Sequence, residues 1–188
     1  MTTKDQLAEK FSGANSLLYQ KSALVITEAG GKKSFTASPE IDVPCKVDTL
    51  NFEQGEASKE EYNIIGQAGA WIVESEPGEI EIGFRVPSIH KDILKLAYGE
   101  DAVSDIEASV DSEDWEGVAL KLNNKKVEGT WMILNNSKDR LMIINNSVLF
   151  ASLVLDSDAK GVMAVDFNGS LESDGTNPDV IFLKKKSA

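Results

Sequence analysis

The stretch that decides the fold reads Glu79-Ile80-Glu81-Ile82-Gly83-Phe84-Arg85-Val86. Apolar and polar residues alternate along it, and successive side chains of a β-strand point to opposite faces. The pattern therefore predicts a strand with one face in a core and the other in water. The core face would carry Ile80, Ile82, Phe84 and Val86, and the wet face Glu79, Glu81, Gly83 and Arg85.

Short runs with the same two-residue period recur on both sides of this stretch, between clusters of Gly, Pro, Asn and Asp. A hairpin is expected where residues 23–27 and 34–36 flank Gly30-Gly31, because glycine accepts the positive φ of a tight turn. Asn135-Asn136 and Asn145-Asn146 are read as turns. Further strands are predicted over residues 45–52, 62–65, 70–74, 118–122, 129–134, 140–144, 148–155, 162–171 and 180–183. The predicted fold class is mainly β, a β-sandwich or barrel-like domain.

One segment between these strands has a helical period instead. Ser88 can cap a short helix that ends at Gly99 and gathers apolar residues such as Ile93 and Leu94 on one side. Residues 1–21 are expected to form an N-terminal arm or short helix, because a capping-box pattern begins at Thr3. Residues 22–188 are then predicted to form a single β domain.

Two charged segments are expected to lie outside the sheet. Residues 100–116 contain many acids and no Lys or Arg, which is typical of an exposed and mobile run, with Trp115 as a potential anchor within it. Residues 52–62 are predicted to be a long exposed loop that orders on assembly. The other two tryptophans, Trp71 and Trp131, are predicted to be core residues.

The composition offers little for catalysis. The single cysteine, Cys45, excludes an internal disulfide and a multi-cysteine zinc site, and any nucleophilic triad would have to use the single histidine, His90. The string from Asp156 to Gly161 imitates the start of an EF-hand loop, but Lys160 stands where a ligand is needed, so it is read as a turn. We predict no catalytic, cofactor-binding or metal-binding residue, and no enzymatic activity.

The charge and hydropathy patterns restrict the partners. A formal net charge of −12 disfavours wrapping of nucleic acid around the surface, since phosphate binding requires Lys and Arg. The basic cluster Lys184-Lys185-Lys186 is read as a solvated tail. No apolar run is long enough to span a bilayer and the first thirty residues lack a secretory pattern, so no membrane partner is expected.

The order of elements resembles that of phage major tail proteins, the subunits of tail tubes. The resemblance consists of an N-terminal arm, paired strands, a strand with a short helix over residues 79–98, and terminal strands. It includes the charged excursion Glu53-Gln54-Gly55-Glu56-Ala57-Ser58-Lys59-Glu60-Glu61 and the alternating run Val162-Met163-Ala164-Val165-Asp166-Phe167-Asn168-Gly169-Ser170-Leu171 before Asp174-Gly175.

The resemblance implies a structural virion protein. Such subunits form stacked hexameric rings whose strands join across interfaces around a channel for the genome. The chain would then partner with itself and with other tail proteins, and DNA would pass without specific binding. It would be assembled in the bacterial cytoplasm and reside in the virion. Glu79, Glu81 and Arg85 are the candidate lumen face, and Glu53, Gly55, Glu56, Lys59 and Glu60 the candidate inter-ring loop.

Two other functions remain open on the sequence. One is a capsid decoration protein or another non-enzymatic β-sandwich that binds a partner without building a tube. The other is a carbohydrate-binding or carbohydrate-acting domain that uses Trp115 together with Glu79 and Glu81.

Overall fold

A computed structural model describes residues 11, 13–46, 48–62, 65, 68, 72–76, 78–123, 125–156, 161–173 and 175–186. It is mainly β, which confirms the predicted fold class. Its elements are β1 (Ser16–Gln20), β2 (Thr27–Ala29), β3 (Lys32–Ser34), β4 (Ile41–Val43), β5 (Asn51–Gln54), β6 (Ser58–Tyr62), β7 (Ile72–Glu76), β8 (Ile80–Val86), α1 (Lys91–Tyr98), a 3-10 turn (Glu100–Ala102), β9 (Val103–Val110), β10 (Glu113–Leu120), β11 (Lys126–Leu134), β12 (Arg140–Asp156), β13 (Val162–Leu171) and β14 (Val180–Lys184).

The body of the protein is a curled, eight-stranded antiparallel sheet. Its strand order is β4-β1-β11-β12-β13-β8-β5, and β14 also pairs with β12. Three two-stranded hairpins, β2–β3, β6–β7 and β9–β10, do not pair with this sheet within the described residues. No helix in the described part of the chain has the length and hydrophobicity needed to cross a bilayer.

The 17-residue strand β12 changes partners along its length. Residues 140–144 pair with β14, whereas residues 147–156 pair with β13. Between these halves, Asn145 and Asn146 together oppose the single residue Thr130 of β11, which is a β-bulge. Asn146 has a φ of 54°, a conformation that asparagine tolerates better than most residues. The predicted turn at Asn145-Asn146 is therefore wrong, because the strand continues through it.

The bulge keeps both halves of β12 facing one core. One inserted residue reverses which parity of residue number faces inward, so Met142 and Ile144 before the bulge share the main core with Leu149 after it. Asn145 is buried, and its Oδ1 accepts hydrogen bonds from Leu24 N at 3.0 Å and Thr130 Oγ1 at 3.2 Å. These bonds satisfy the buried amide oxygen, and the bond from Leu24 holds the connection between β1 and β2 to the sheet.

The main core is built around Trp131, which is fully buried. Its ring centroid lies 4.7 Å from that of Tyr19, 4.8 Å from Phe84 and 6.1 Å from Phe167. These distances are typical of favourable aromatic pairs. The indole Nε1 has no hydrogen-bond partner among the described residues. α1 packs on the same core through Ile93, Leu94, Ala97 and Tyr98.

A smaller apolar cluster covers the opposite face of the sheet. Leu24, Met132 and Ile143 form its buried centre, and partly buried residues including Ile26 and Phe35 pack against it. In the sequence, the β2–β3 hairpin lies between Ile26 and Phe35. It turns at Gly30 and Gly31, which have φ values of 61° and 72°. The predicted glycine hairpin is confirmed, but its strands are residues 27–29 and 32–34, nearer to the turn than the predicted 23–27 and 34–36.

Several predicted elements are confirmed. β8 has the predicted alternation, with Ile82, Phe84 and Val86 buried, and β13 has the predicted bounds. The single helix is present, but His90 rather than Ser88 is its N-cap, because His90 Nδ1 accepts from Asp92 N at 3.3 Å. Gly99 ends it as expected.

Other predictions are wrong. The described residues 45, 46 and 48–50 are not in a strand, and the chain turns at Asp48, whose φ is 70°. The acidic run is exposed, as predicted, but most of it belongs to the regular hairpin β9–β10, which turns at Asp111 and Ser112 with positive φ. Residues 16–20, placed in an N-terminal arm on the sequence, form β1 inside the main sheet. Residues 1–10, Trp71 and residues 157–160 lie outside the described residues.

Removing the central indole should unfold much of the protein. We expect Trp131→Ala to lower the free energy of unfolding by about 3–5 kcal/mol, since it opens a large cavity in a closed core. Trp131→Phe should cost clearly less, because it keeps a ring and removes an unpaired N–H group. Urea unfolding of both variants measures this, and an alanine cost below about 1 kcal/mol would contradict the packing described.

Tyr19 makes the core sensitive to alkaline pH. Its hydroxyl donates to the Glu128 carbonyl oxygen at 2.8 Å, and burial raises its pKa from 10.0 to about 12. The folded state therefore favours neutral tyrosine, so this group's contribution to stability is intact below pH 10 and is lost as the pH rises towards 12. Stability measured across this range should fall less steeply in Tyr19→Phe, and equal slopes would refute the assignment.

Candidate functional site

The candidate site is the face of the strands β5, β8 and β13 that points away from the main core. Residues directly opposite each other in an antiparallel pair share a face. The register places Glu53 of β5 opposite Glu81 of β8, and Glu81 opposite Ser170 of β13. Two residues further along β8, Gly83 lies between Asn51 of β5 and Asn168 of β13. Two residues beyond that, Arg85 lies opposite Asp166. The alternation seen in the sequence of β8 thus becomes a continuous polar face across three strands.

An ion pair neutralises the one cation of the candidate lumen face. Arg85 Nε lies 2.6 Å from Asp166 Oδ1, and Arg85 Nη2 lies 2.8 Å from Asp166 Oδ2. This bidentate geometry is the strongest form of such a pair. Both side chains are largely covered, with 28% and 20% of their surfaces exposed. The remaining charges of the face, on Glu53, Glu79 and Glu81, are negative and exposed to solvent.

A groove of about 650 Å³ runs along this face. Gly83 shapes the groove, because its lack of a side chain lets the Asn168 amide lie against the β8 backbone. A Cβ at position 83 would lie 2.8 Å from Asn168 Oδ1. The groove is lined by Thr49, Asn51, Glu79, Glu81, Arg85, Asp166, Asn168 and Ser170, among others. Its charged side chains are acidic except for Arg85, and Arg85 is paired with Asp166, so the described lining offers no site of net positive charge for a phosphate.

The candidate inter-ring residues do not form a loop. Glu53 lies on β5, Lys59 and Glu60 lie on β6, and only the short connection with Gly55 and Glu56 is irregular. All five are exposed, as predicted. Lys59 pairs with Glu61 on its own strand.

The connection after β5 is fastened to the start of β8. Gly55 N donates to the Glu79 carbonyl oxygen at 2.8 Å, and a Cβ on Gly78 would lie 1.9 Å from the Gly55 carbonyl oxygen. The two backbones therefore touch, which only glycine at position 78 permits. The candidate lumen face and the candidate inter-ring residues are consequently neighbours, a proximity that the linear sequence does not reveal.

The structure separates the residues of the carbohydrate hypothesis. Glu79 and Glu81 line the groove on β8, whereas Trp115 lies on β10 and lines a different concavity with Glu107, Ala108, Ser109, Asp114 and Glu116. A stacking aromatic and a carboxylate pair must contact the same sugar to cooperate. This arrangement gives the carbohydrate hypothesis no shared site.

The remaining candidate groups have structural contacts. His90 caps α1, and Cys45 is half-buried, with its Sγ 3.9 Å from Thr49 Oγ1. Burial raises the pKa of the Cys45 thiol, which disfavours the reactive thiolate. Among the described residues, no group of three or more His, Cys, Asp or Glu side chains is arranged to hold a metal ion.

Comparison with known proteins adds no family assignment. No protein-family model matches the chain, and no curated protein matches its sequence.

The Arg85–Asp166 pair should stabilise the face on which it lies. In a double-mutant cycle with Arg85→Met and Asp166→Asn, we expect a coupling free energy of about 1 kcal/mol, because both side chains are largely covered and their contact is bidentate. Urea unfolding of the four proteins provides the value. As a control, Glu81→Gln should not destabilise the protein, since it removes a like charge opposite Glu53. Additive single effects would mean that the pair contributes nothing.

Proposed function

We propose that this chain is a structural subunit that assembles with copies of itself into stacked rings, forming a phage tail tube for passage of a genome. The sequence pattern described above supports the proposal, and the mainly-β fold is compatible with it. The hexameric ring number comes from the resemblance. Other tail proteins would bind at the ends of the tube, and the assembled protein would reside in the virion after assembly in the bacterial cytoplasm.

The observation that carries the proposal is the open edge of the curled sheet. The terminal strands β4 and β5 each pair on one side only within the described residues. An unpaired strand edge offers a row of backbone donors and acceptors to another chain. If copies join at these edges, the curl of each sheet continues into the next, and the strands of a ring of copies close into one barrel.

The charge of the groove face supports its assignment to the lumen. Arg85 is neutralised by Asp166, so Glu53, Glu79 and Glu81 give the face net negative charge. Double-stranded DNA carries about one negative charge per 1.7 Å of its axis, so an acidic wall repels it and leaves a hydrated gap. The candidate inter-ring residues Glu53, Gly55, Glu56, Lys59 and Glu60, which adjoin this face, would then contact the next ring.

The proposal assigns a binding role and no catalysis. DNA would pass the acidic wall without specific contacts, and no cofactor or metal is required for assembly. Cys45 and His90, the residues best suited to nucleophilic chemistry, contribute instead to packing and to helix capping.

Electron microscopy of the concentrated, purified protein tests the proposal. Rings or stacked tubes with a central channel are expected, and their number should increase with protein concentration, as required by mass action. A protein that remains monomeric at every concentration accessible would overturn the proposal.

Reversing the charge of the lumen face should create DNA binding inside the tube. Glu79→Lys/Glu81→Lys should change stability by no more than about 0.5 kcal/mol per site, because both side chains are exposed. Tubes of this variant should retain DNA at low salt and release it as salt rises, since phosphate binding releases counterions.

A matched control has the same total charge elsewhere on the surface. Glu28→Lys/Asp101→Lys replaces two exposed acids that lie outside β5, β8 and β13, and we expect tubes of this variant to retain no more DNA in the channel than the wild type. Equal retention by the two variants would show that net charge alone is responsible and that Glu79 and Glu81 do not line the lumen.

A further inference from the structure

We propose that the β9–β10 hairpin of one copy docks on the β14 edge of a second copy of this chain. This inference rests on the proposed self-assembly and names two surfaces that meet. It concerns the hairpin surface, defined by Ile106, Ala108, Val110, Trp115 and Gly117, and the β14 surface, defined by Phe182, Lys185 and Lys186.

The hairpin is amphipathic, although its many acidic residues hide this pattern in the sequence. Its register places Ile106 opposite Gly117, Ala108 opposite Trp115 and Val110 opposite Glu113, so these residues share one face. The other face carries Asp105, Glu107, Ser109, Asp114 and Glu116 towards the tip. A two-residue period of this kind is the pattern of a strand pair with one face buried.

Within the described structure, that apolar face has no cover. Ile106 is 49% exposed, Val110 58% and Trp115 57%. A Cβ on Gly117 would have no neighbour within 4 Å, which leaves an open recess beside Trp115. An isolated two-stranded hairpin is only marginally stable in water, so a projecting pair of 8-residue strands requires a second surface.

The base of the hairpin is held in position by the body. Lys91 Nζ on α1 lies 2.6 and 2.7 Å from the two carboxylate oxygens of Asp105, and Lys121 N donates to the Ala102 carbonyl oxygen at 2.8 Å. Val103 and Ala102 are buried in the main core. The hairpin therefore projects from a fixed root and presents its apolar face outward.

The β14 surface offers the opposite charge and a free strand edge. β14 pairs with residues 140–144 of β12 along one edge, and no strand in the described part of the chain pairs with its other edge. Phe182 is 67% exposed, and its neighbour Leu183 points to the opposite face of the sheet. Lys185 and Lys186 follow directly and are exposed.

Charge complementarity identifies the occupant as a second copy. Glu113 lies on the apolar face opposite Val110, and Asp111 stands next to it in the turn. The hairpin sequence from residue 103 to residue 120 contains no Lys or Arg, whereas the basic cluster of the chain lies at the end of β14. An apolar centre with opposite charges at its rim is the usual composition of a specific interface. Because the two surfaces are different parts of one chain, the contact is head-to-tail, and such contacts generate rings or filaments.

The experiment uses two variants of the full chain, each defective at one surface. Ile106→Ser/Trp115→Ser removes the hairpin surface, and Phe182→Ser/Lys185→Glu removes the β14 surface. Val25→Ser/Ile89→Ser is the matched control, since Val25 and Ile89 are 78% and 56% exposed and lie on neither surface. Circular dichroism and thermal unfolding establish that all three variants are folded.

Sedimentation velocity over a concentration series gives the self-association of each protein. Each defective variant alone should associate about 30-fold more weakly than the wild type or worse, as expected for loss of central aromatic contacts, while the control is unchanged. A mixture of the two defective variants retains one intact pair of surfaces, so it should form heterodimers that neither variant forms alone. Raised salt should weaken these heterodimers.

The outcomes separate this inference from the proposed function. Wild-type tubes together with unimpaired assembly of both defective variants would overturn the docking and leave the tube proposal standing. Heterodimers in the mixture, but no rings or tubes of the wild type, would support the docking and overturn the tube proposal. Defective variants that fail to associate even when mixed would contradict a head-to-tail contact between these surfaces.

Discussion

β12 is the strand that joins the parts of the main sheet, and one bulge in it keeps both of its halves facing the same core. This strand pairs with β11 over residues 141–144 and 147–150, with β14 before the bulge and with β13 after it. The extra residue at Asn145–Asn146 turns both halves towards the same core, and the buried Asn145 amide is satisfied by Leu24 and Thr130. A regular strand would send Leu149 and its neighbours to the opposite face, so the core around Trp131 could not close.

The sequence was sufficient where one face of a strand is buried and was misleading where the decisive contacts are distant. The alternation of β8 and β13 and the glycine turn at Gly30-Gly31 follow from local chemistry, so they could be predicted. Asn145-Asn146 carries the same local signal as a turn, and only the partner strand decides that it is a bulge. The hairpin within the acidic run was not predicted, for another reason. Its charges obscure a regular two-residue period in which Trp115 and Ile106 share one face.

The candidate site shows the same division. Glu79, Glu81 and Arg85 could be placed on one face of a strand from the sequence, but Asp166 was not recognised as the partner that neutralises Arg85, because 81 residues separate the two. Glu53 opposite Glu81 was also beyond sequence reasoning, since it depends on the register of β5 against β8. The site is therefore more acidic than β8 alone suggests, and it adjoins the unpaired edge on which the proposed assembly depends.

Hydrogen exchange measured at low and high protein concentration tests most directly the claim that neighbouring copies complete this sheet and cover its hairpin. The account predicts that amides of β5 and β10 exchange rapidly in dilute protein and become protected as the concentration rises. Amides of β11 and β12 should be equally protected at both concentrations, because their partners belong to the same chain. Exchange in β5 and β10 that does not change with concentration would contradict the account.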